Sequence, residues 1–234
     1  MEEKNIVIIG ASSGIGLATA ELLGAQGANL YTISRTEPDL PSSLQFEHTN
    51  HDVLEDDFPV DFLPEKIDGL IYCPGSINLK PFRSLTADVF RQDYEINVVG
   101  AVKAIKAALK PMKKSEGTPS IVLFSTVAVQ QGMAFHGSVS AAKGAVEGLT
   151  RALAAELSPK IRVNCIAPSL VNTPLASHIL SSEERIEASN KRHPLNRIGE
   201  AEDIAQTVAF LSSDQSSWMT GQVLGVDGGL SKLR

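Results

Sequence analysis

The strongest chemical signal in the sequence is the segment Gly10-Ala11-Ser12-Ser13-Gly14-Ile15-Gly16. It follows a short β-branched run at residues 6–9 and opens a helical pattern over residues 15–26 that Gly27 closes. A glycine at the end of a strand permits a sharp turn. Further glycines let backbone N–H groups and the positive end of a helix approach a pyrophosphate without obstruction by Cβ atoms. The spacing is G-x-x-x-G-x-G rather than G-x-G-x-x-G, but the strand and helix on either side predict a dinucleotide-binding turn. Gly10, Ser12, Ser13, Gly14, Ile15 and Gly16 are its candidate contacts. The second strand ends in Ile33-Ser34-Arg35-Thr36, where such a fold presents the group that reads the adenosine ribose. An acid there favours a free 2′-hydroxyl. Ser34 followed by the guanidinium fork of Arg35 suits a 2′-phosphate, so the expected coenzyme is NADP(H) rather than NAD(H).

These residues need a framework to hold them. Short apolar strands are read at residues 6–9, 29–34, 44–48, 69–73, 120–124, 161–166 and 223–226, with helical segments at 86–109, 138–157 and 201–211 between them. Strands apolar on both faces and alternating with helices imply a mainly parallel sheet covered on both sides. The expected fold is therefore α/β, a doubly wound Rossmann domain with seven strands, occupying all 234 residues as one unit. Residues 35–43 and 54–68 contain prolines and polar residues and read as loops or abbreviated crossovers. Residues 175–193 are polar and follow the sixth strand, which is where a substrate lid would lie.

Composition narrows the partners. A net charge of −6 disfavours binding to phosphate backbones, so nucleic acid is not expected. Cys73 and Cys165 are two isolated thiols that assemble neither a disulfide framework nor a metal cluster. No window is long and apolar enough for a membrane span, and the acidic start Met1-Glu2-Glu3-Lys4 is unlike a signal peptide. A reducing, cytoplasmic location is the expectation.

With Asp52-Val53 after the third strand, Asn97 in the long helix, Lys143, the run Arg162-Val163-Asn164-Cys165-Ile166-Ala167-Pro168, Thr173, Gly221-Gln222 and Val226-Asp227-Gly228-Gly229, the chain resembles the short-chain dehydrogenase/reductase family over nearly its whole length. It is most similar to the 3-oxoacyl-acyl-carrier-protein reductase branch. The resemblance implies reduction of a carbonyl, or oxidation of an alcohol, with a nicotinamide coenzyme. It places Asp52 and Val53 at the adenine, Ile166 and Thr173 near the nicotinamide carboxamide, and Lys143 at the nicotinamide ribose. It also implies a homotetramer or homodimer built through the helices at 86–109 and 138–157. Asn97, Thr126 and Lys143 are its catalytic candidates.

The chain departs from the family where the chemistry is most demanding. The family has a tyrosine four residues before the lysine, and here that position is Val139. Thirteen residues upstream of Val139, in place of the family's serine, stands Thr126, whose hydroxyl makes the same kind of hydrogen bond. The Asn-Ala-Gly after the fourth strand is Cys73-Pro74-Gly75, which keeps Gly75 beside the expected ribose but stiffens the turn. Pro-Gly after the sixth strand is Pro168-Ser169, and Ile9 precedes the first glycine where threonine is common. Valine neither donates a proton nor titrates, and general acid catalysis is typically worth about 10²- to 10⁴-fold, so slowed rather than abolished chemistry is expected. Substitute donors in the sequence are His136, Ser138, Ser140 and Tyr72. The alternative is a catalytically silent NADP(H)-binding sensor or partner subunit.

Overall fold

The computed structural model describes residues 1–233. Its first strand, β1 (Asn5–Ile9), has Ile6, Val7, Ile8 and Ile9 fully buried, because both faces of the sheet are covered and each side chain of the run enters one of two cores. β2 (Asn29–Ser34), β3 (Phe46–Asn50), β4 (Gly69–Tyr72), β5 (Ser120–Phe124), β6 (Arg162–Pro168) and, near the end of the chain, Val223–Val226 join it in a seven-stranded sheet whose neighbouring pairs are all parallel. From β1 the chain winds outward through β2 to β3, then returns to β4 on the other side of β1 and proceeds through β5 and β6. The carboxyl ends of β1 and β4 thus flank a topological switch point, where α/β sheets hold their ligands.

Helices cover both faces. Ala104, Ala108 and Met112 of α3 (Gly100–Met112) and Val146 and Ala154 of α5 (Gly137–Leu157) pack on one side against Val7, Leu70, Ile121 and Val163. Ala20 and Leu23 of α1 (Gly14–Ala25), with Ile204, Val208 and Leu211 of α7 (Ala201–Ser212), pack on the other against Ile6, Ile8, Ile71 and Val122. Buried Arg162 ties the start of β6 to the end of α7. Its Nη1 donates to the Ser216 carbonyl and hydroxyl at 3.0 and 2.9 Å, and its Nη2 to the carbonyls of Leu211 and Ser213 at 3.0 and 3.1 Å.

The structure corrects several boundaries. The continuous helix expected over 86–109 is α2 (Ala87–Tyr94), a π-helical turn at Glu95–Val99, and α3. β3 runs two residues later than the pattern at 44–48 suggests. It is half-exposed, and its register is held by hydrogen bonds of Thr32 Oγ1 to the Glu47 carbonyl and the His48 ring. Residues 175–193 contain a helix, α6 (Glu183–Arg192), preceded by Ser182, whose hydroxyl accepts from the Arg185 N–H. A two-stranded pair of β7 (Val171–Asn172) and β8 (Gly199–Glu200) brackets this segment. Glu200 and Asp203 form the capping box that starts α7. No described helix is long and apolar enough to cross a membrane.

Candidate active site

Two connected hollows open at the carboxyl ends of the strands. The smaller, about 340 Å³, is walled by Gly10, Ser12, Ser13, Gly14, Ile15, Gly16, Ser34, Arg35, Asp52, Val53 and Gly75. Every predicted contact for the phosphates, the adenosine ribose and the adenine therefore faces one space. Gly10 takes φ +81°, and a Cβ on it would stand 3.1 Å from the Pro74 ring, so Pro74 closes down on a residue that only glycine supplies without strain. A Cβ on Gly16 would drive into the Gly10 carbonyl, so this glycine lets the helix start fold tightly beneath the turn. Ser13 precedes α1 in extended conformation, and its side chain makes no capping bond. The N–H groups of the first turn, with no acid among them, present a cradle that fits a diphosphate.

At the rim, the Ser34 hydroxyl donates to the Thr36 carbonyl at 2.9 Å, whereas exposed Arg35 has neither a hydrogen bond nor an ion pair among the described residues. Asp52 Oδ1 accepts from the Leu54 N–H at 3.0 Å, which fixes the loop at that end.

The larger hollow, about 930 Å³, shares Ile15, Cys73, Gly75, Thr173 and Leu175 with the smaller one and adds Thr126, His136, Val139 and Lys143. Val139 and Lys143 are one turn apart on the same face of α5 and both line it. A Cβ built on Gly75 would lie 3.4 Å from both Lys143 Nζ and Asn97 Oδ1, so these two groups converge at the junction of the hollows. Asn97 occupies the π-helical turn, a distortion common at functional sites. Its Nδ2 donates to the Asp93 carbonyl at 2.7 Å and to Ser76 Oγ at 3.0 Å, and its buried Oδ1 has no partner. Burial lowers the Lys143 ammonium to about 8. Thr126 Oγ1 accepts from the Ala128 N–H at 3.3 Å, which leaves its O–H free to donate.

Ile166 is placed elsewhere. It is fully buried in β6, packs in the sheet core and lines neither hollow. Pro168, singled out in the sequence only as part of its motif, and Val171, which sequence reasoning passed over, line the larger one, and Thr173 lies against Gly14, where an added Cβ would be 3.2 Å away. Among the substitute donors, Tyr72 gives its hydroxyl to the Ile96 carbonyl at 2.5 Å, Ser140 gives its own to the Ala128 carbonyl at 3.4 Å, and Ser138 is buried away from the cavity wall. Only His136 lines the cavity. Its Nδ1 is 2.8 Å from the Ala134 carbonyl and must carry the proton of the neutral ring, so Nε2 holds a lone pair. Ser169, where the family has glycine, is engaged by buried His193. Its Oγ lies 2.9 Å from Nε2, while His193 Nδ1 lies 2.8 Å from the Ser189 carbonyl.

A network that sequence reasoning missed supports Asn97. Fully buried Asp93 accepts from Ser76 Oγ at 2.5 Å and from Asn78 Nδ2 at 2.7 Å. Asp93 and Asn97, four apart on one helical pattern, were the available signal. Burial pushes the Cys73 and Cys165 thiols up to about 12, which makes both poor nucleophiles.

Residues 10–231 match the family model described as Enoyl-(Acyl carrier protein) reductase. The chain belongs to the short-chain dehydrogenase/reductase family. A tropinone reductase homolog of Arabidopsis thaliana is 33% identical over 247 residues, with 99% of this chain and 94% of that protein covered. The ligand-free aldohexose dehydrogenase of Thermoplasma acidophilum superposes with TM-score 0.91 at 31% identity, covering 98% of this chain and 94% of that one. A structure from Agrobacterium tumefaciens with bound NADP superposes with TM-score 0.90 at 27% identity, covering 98% and 97%. The relatives of this short-chain dehydrogenase/reductase are dehydrogenases and reductases, and its seven-stranded parallel sheet is theirs.

Proposed function

We propose that this protein is an NADP(H)-dependent oxidoreductase acting on a small carbonyl or alcohol substrate, at a site where Val139 stands in place of the family's tyrosine acid. The observation that carries the reading is the convergence of Lys143 Nζ and Asn97 Oδ1 on Gly75, where the phosphate cradle meets the larger cavity. The coenzyme would supply or accept the hydride. Gly10, Ser12, Ser13, Gly14, Ile15 and Gly16 would hold its diphosphate, Ser34 and Arg35 its 2′-phosphate, and Asp52 and Val53 its adenine. Lys143 would reach its nicotinamide ribose, with Thr173 beside the ring. The unpaired guanidinium of Arg35 supports the choice of NADP(H), as does the similar chain solved with NADP. The likeness of residues 162–168 and 226–229 to the 3-oxoacyl-acyl-carrier-protein reductase branch supports the direction of carbonyl reduction.

The remaining residues divide the work on the substrate oxygen. The free Thr126 O–H donates a hydrogen bond that orients the oxygen. Neutral His136 offers Nε2 to the cavity as an acceptor. The ammonium of Lys143, one turn from Val139 and facing the same cavity, is the proton source the site retains. The test is NADPH oxidation by the purified protein against a panel of ketones and 3-oxoacyl thioesters, with Arg35→Ala run in parallel. Wild type turns over, and Arg35→Ala weakens NADPH at least about tenfold more than NADH, the scale of one charge-assisted fork. Tight NADPH binding without turnover on any member of the panel would replace this reading with that of a silent binding protein.

A further inference from the structure

Accepting the site assigned above, the walls of the larger cavity define what it takes besides the coenzyme. Ile77, Leu79, Met133, Phe135, Leu175 and Ile179 line it beyond the residues named above. The protein carries 27 acidic against 21 basic side chains, yet among the described residues no Asp or Glu lines this cavity, while Lys143 and Arg192 do. An apolar cavity that excludes carboxylates and keeps two cations is arranged against its own protein's charge. Lys143 lies at the coenzyme junction. Arg192 lies on a different element, the last residue of α6, and has no hydrogen bond or ion pair among the described residues.

The backbone that carries the exposed Arg192 side chain is anchored. The next residue, His193, is 1% exposed and is held between the Ser189 carbonyl and the Ser169 hydroxyl, which fastens the end of α6 to the strand end that walls the cavity. An unpartnered guanidinium at the mouth of an apolar space presents a planar fork matched to a carboxylate. Polyol recognition needs a set of free convergent acceptors and donors, because each buried hydroxyl left unpaired is penalised, whereas Ser76, Ser125, Gln131 and Ser169 on this wall are already engaged by Asp93, Glu147, the Leu230 carbonyl and His193.

We propose that the substrate is an apolar carbonyl compound, or the corresponding alcohol, that ends in a carboxylate, with Arg192 gripping the carboxylate and the aliphatic wall holding the chain between it and the reacting carbon. Sugars, although substrates by name of a similar dehydrogenase, are disfavoured by this cavity.

Calorimetric titration of the NADP⁺-loaded protein with 6-oxoheptanoate, its methyl ester and L-xylulose tests the assignment by binding alone, so a catalytically silent site does not obscure the result. The keto acid binds about tenfold or more tightly than its ester, as one charge-assisted fork predicts, and L-xylulose binds more weakly than either. Arg192→Gln removes the preference while leaving the ester's affinity within about threefold, and Arg192→Lys retains part of it. Equal affinities for acid and ester, no binding of either, or tighter binding of the sugar would overturn the proposal. So would a preference that survives Arg192→Gln, which would assign the carboxylate to Lys143. NADPH binding is measured first, so failure of the coenzyme reading shows itself separately.

Discussion

Val139→Tyr raises the rate of NADPH-dependent ketone reduction at least about tenfold, a floor set below the roughly 10²- to 10⁴-fold that general acid catalysis supplies because Lys143 already serves as a donor. The site provides what a phenol there requires. Val139 lines the larger cavity, one helical turn from Lys143 on the same face of α5, so a longer side chain projects toward the space already bounded by Thr126 and Gly75. The Lys143 ammonium then lowers the phenol's pKa from its usual value of about 10, and the phenol donates where negative charge develops on the substrate oxygen. The measurement is steady-state turnover of wild type and variant on the same ketone, with NADPH affinity determined alongside. A variant that binds NADPH as wild type does yet gains no rate would mean that the substrate oxygen is not delivered to this point.

The second large effect concerns Lys143 itself. Lys143→Met lowers turnover by about 10²-fold or more, because it removes the ammonium that faces the cavity one turn from Val139. The direction of the pH dependence follows from the buried ammonium. Its pKa is lowered to about 8, and the protonated form is the donor, so the maximal rate of reduction holds below pH 8 and falls as pH rises through it. Lys143→Arg preserves a cation at this position but does not deprotonate in this range, so it removes the break from the profile. Profiles of kcat for wild type and Lys143→Arg decide the matter. An unchanged break in the arginine variant assigns the titration to another group.

Local sequence exposes the coenzyme half of the site more fully than the substrate half. The glycine turn is legible because backbone geometry dictates residue type there: Gly10 needs a positive φ and Gly16 cannot carry a side chain beside the Gly10 carbonyl. Strands β1, β4 and β5 are legible because nearly continuous burial makes them largely apolar. The π-helical turn at Asn97 is hidden, since one extra residue in a turn leaves the apolar periodicity of 86–109 nearly intact while rotating everything after it. The helix Glu183–Arg192 escapes a hydrophobic pattern because only Ser189 of its residues is buried; its signal is Ser182 as cap, acids in the first turn and bases in the last. Ile166 was drawn toward the coenzyme by its motif, but parallel pairing with β5 and β9 (Val223–Val226) directs its side chain into the core, and the cavity wall comes from the residues after it. Likewise, nothing local marks His193 as the clamp on Ser169, since that contact joins residues 24 apart.

The central claim is that the phosphates of a nicotinamide coenzyme rest on the amino end of α1. Calorimetric titration of the purified protein with NADPH tests it most directly. Saturable binding of one NADPH per chain, tighter than that of NADH, is the predicted result, and no heat of binding from any oxidised or reduced nicotinamide dinucleotide at millimolar concentration would contradict it.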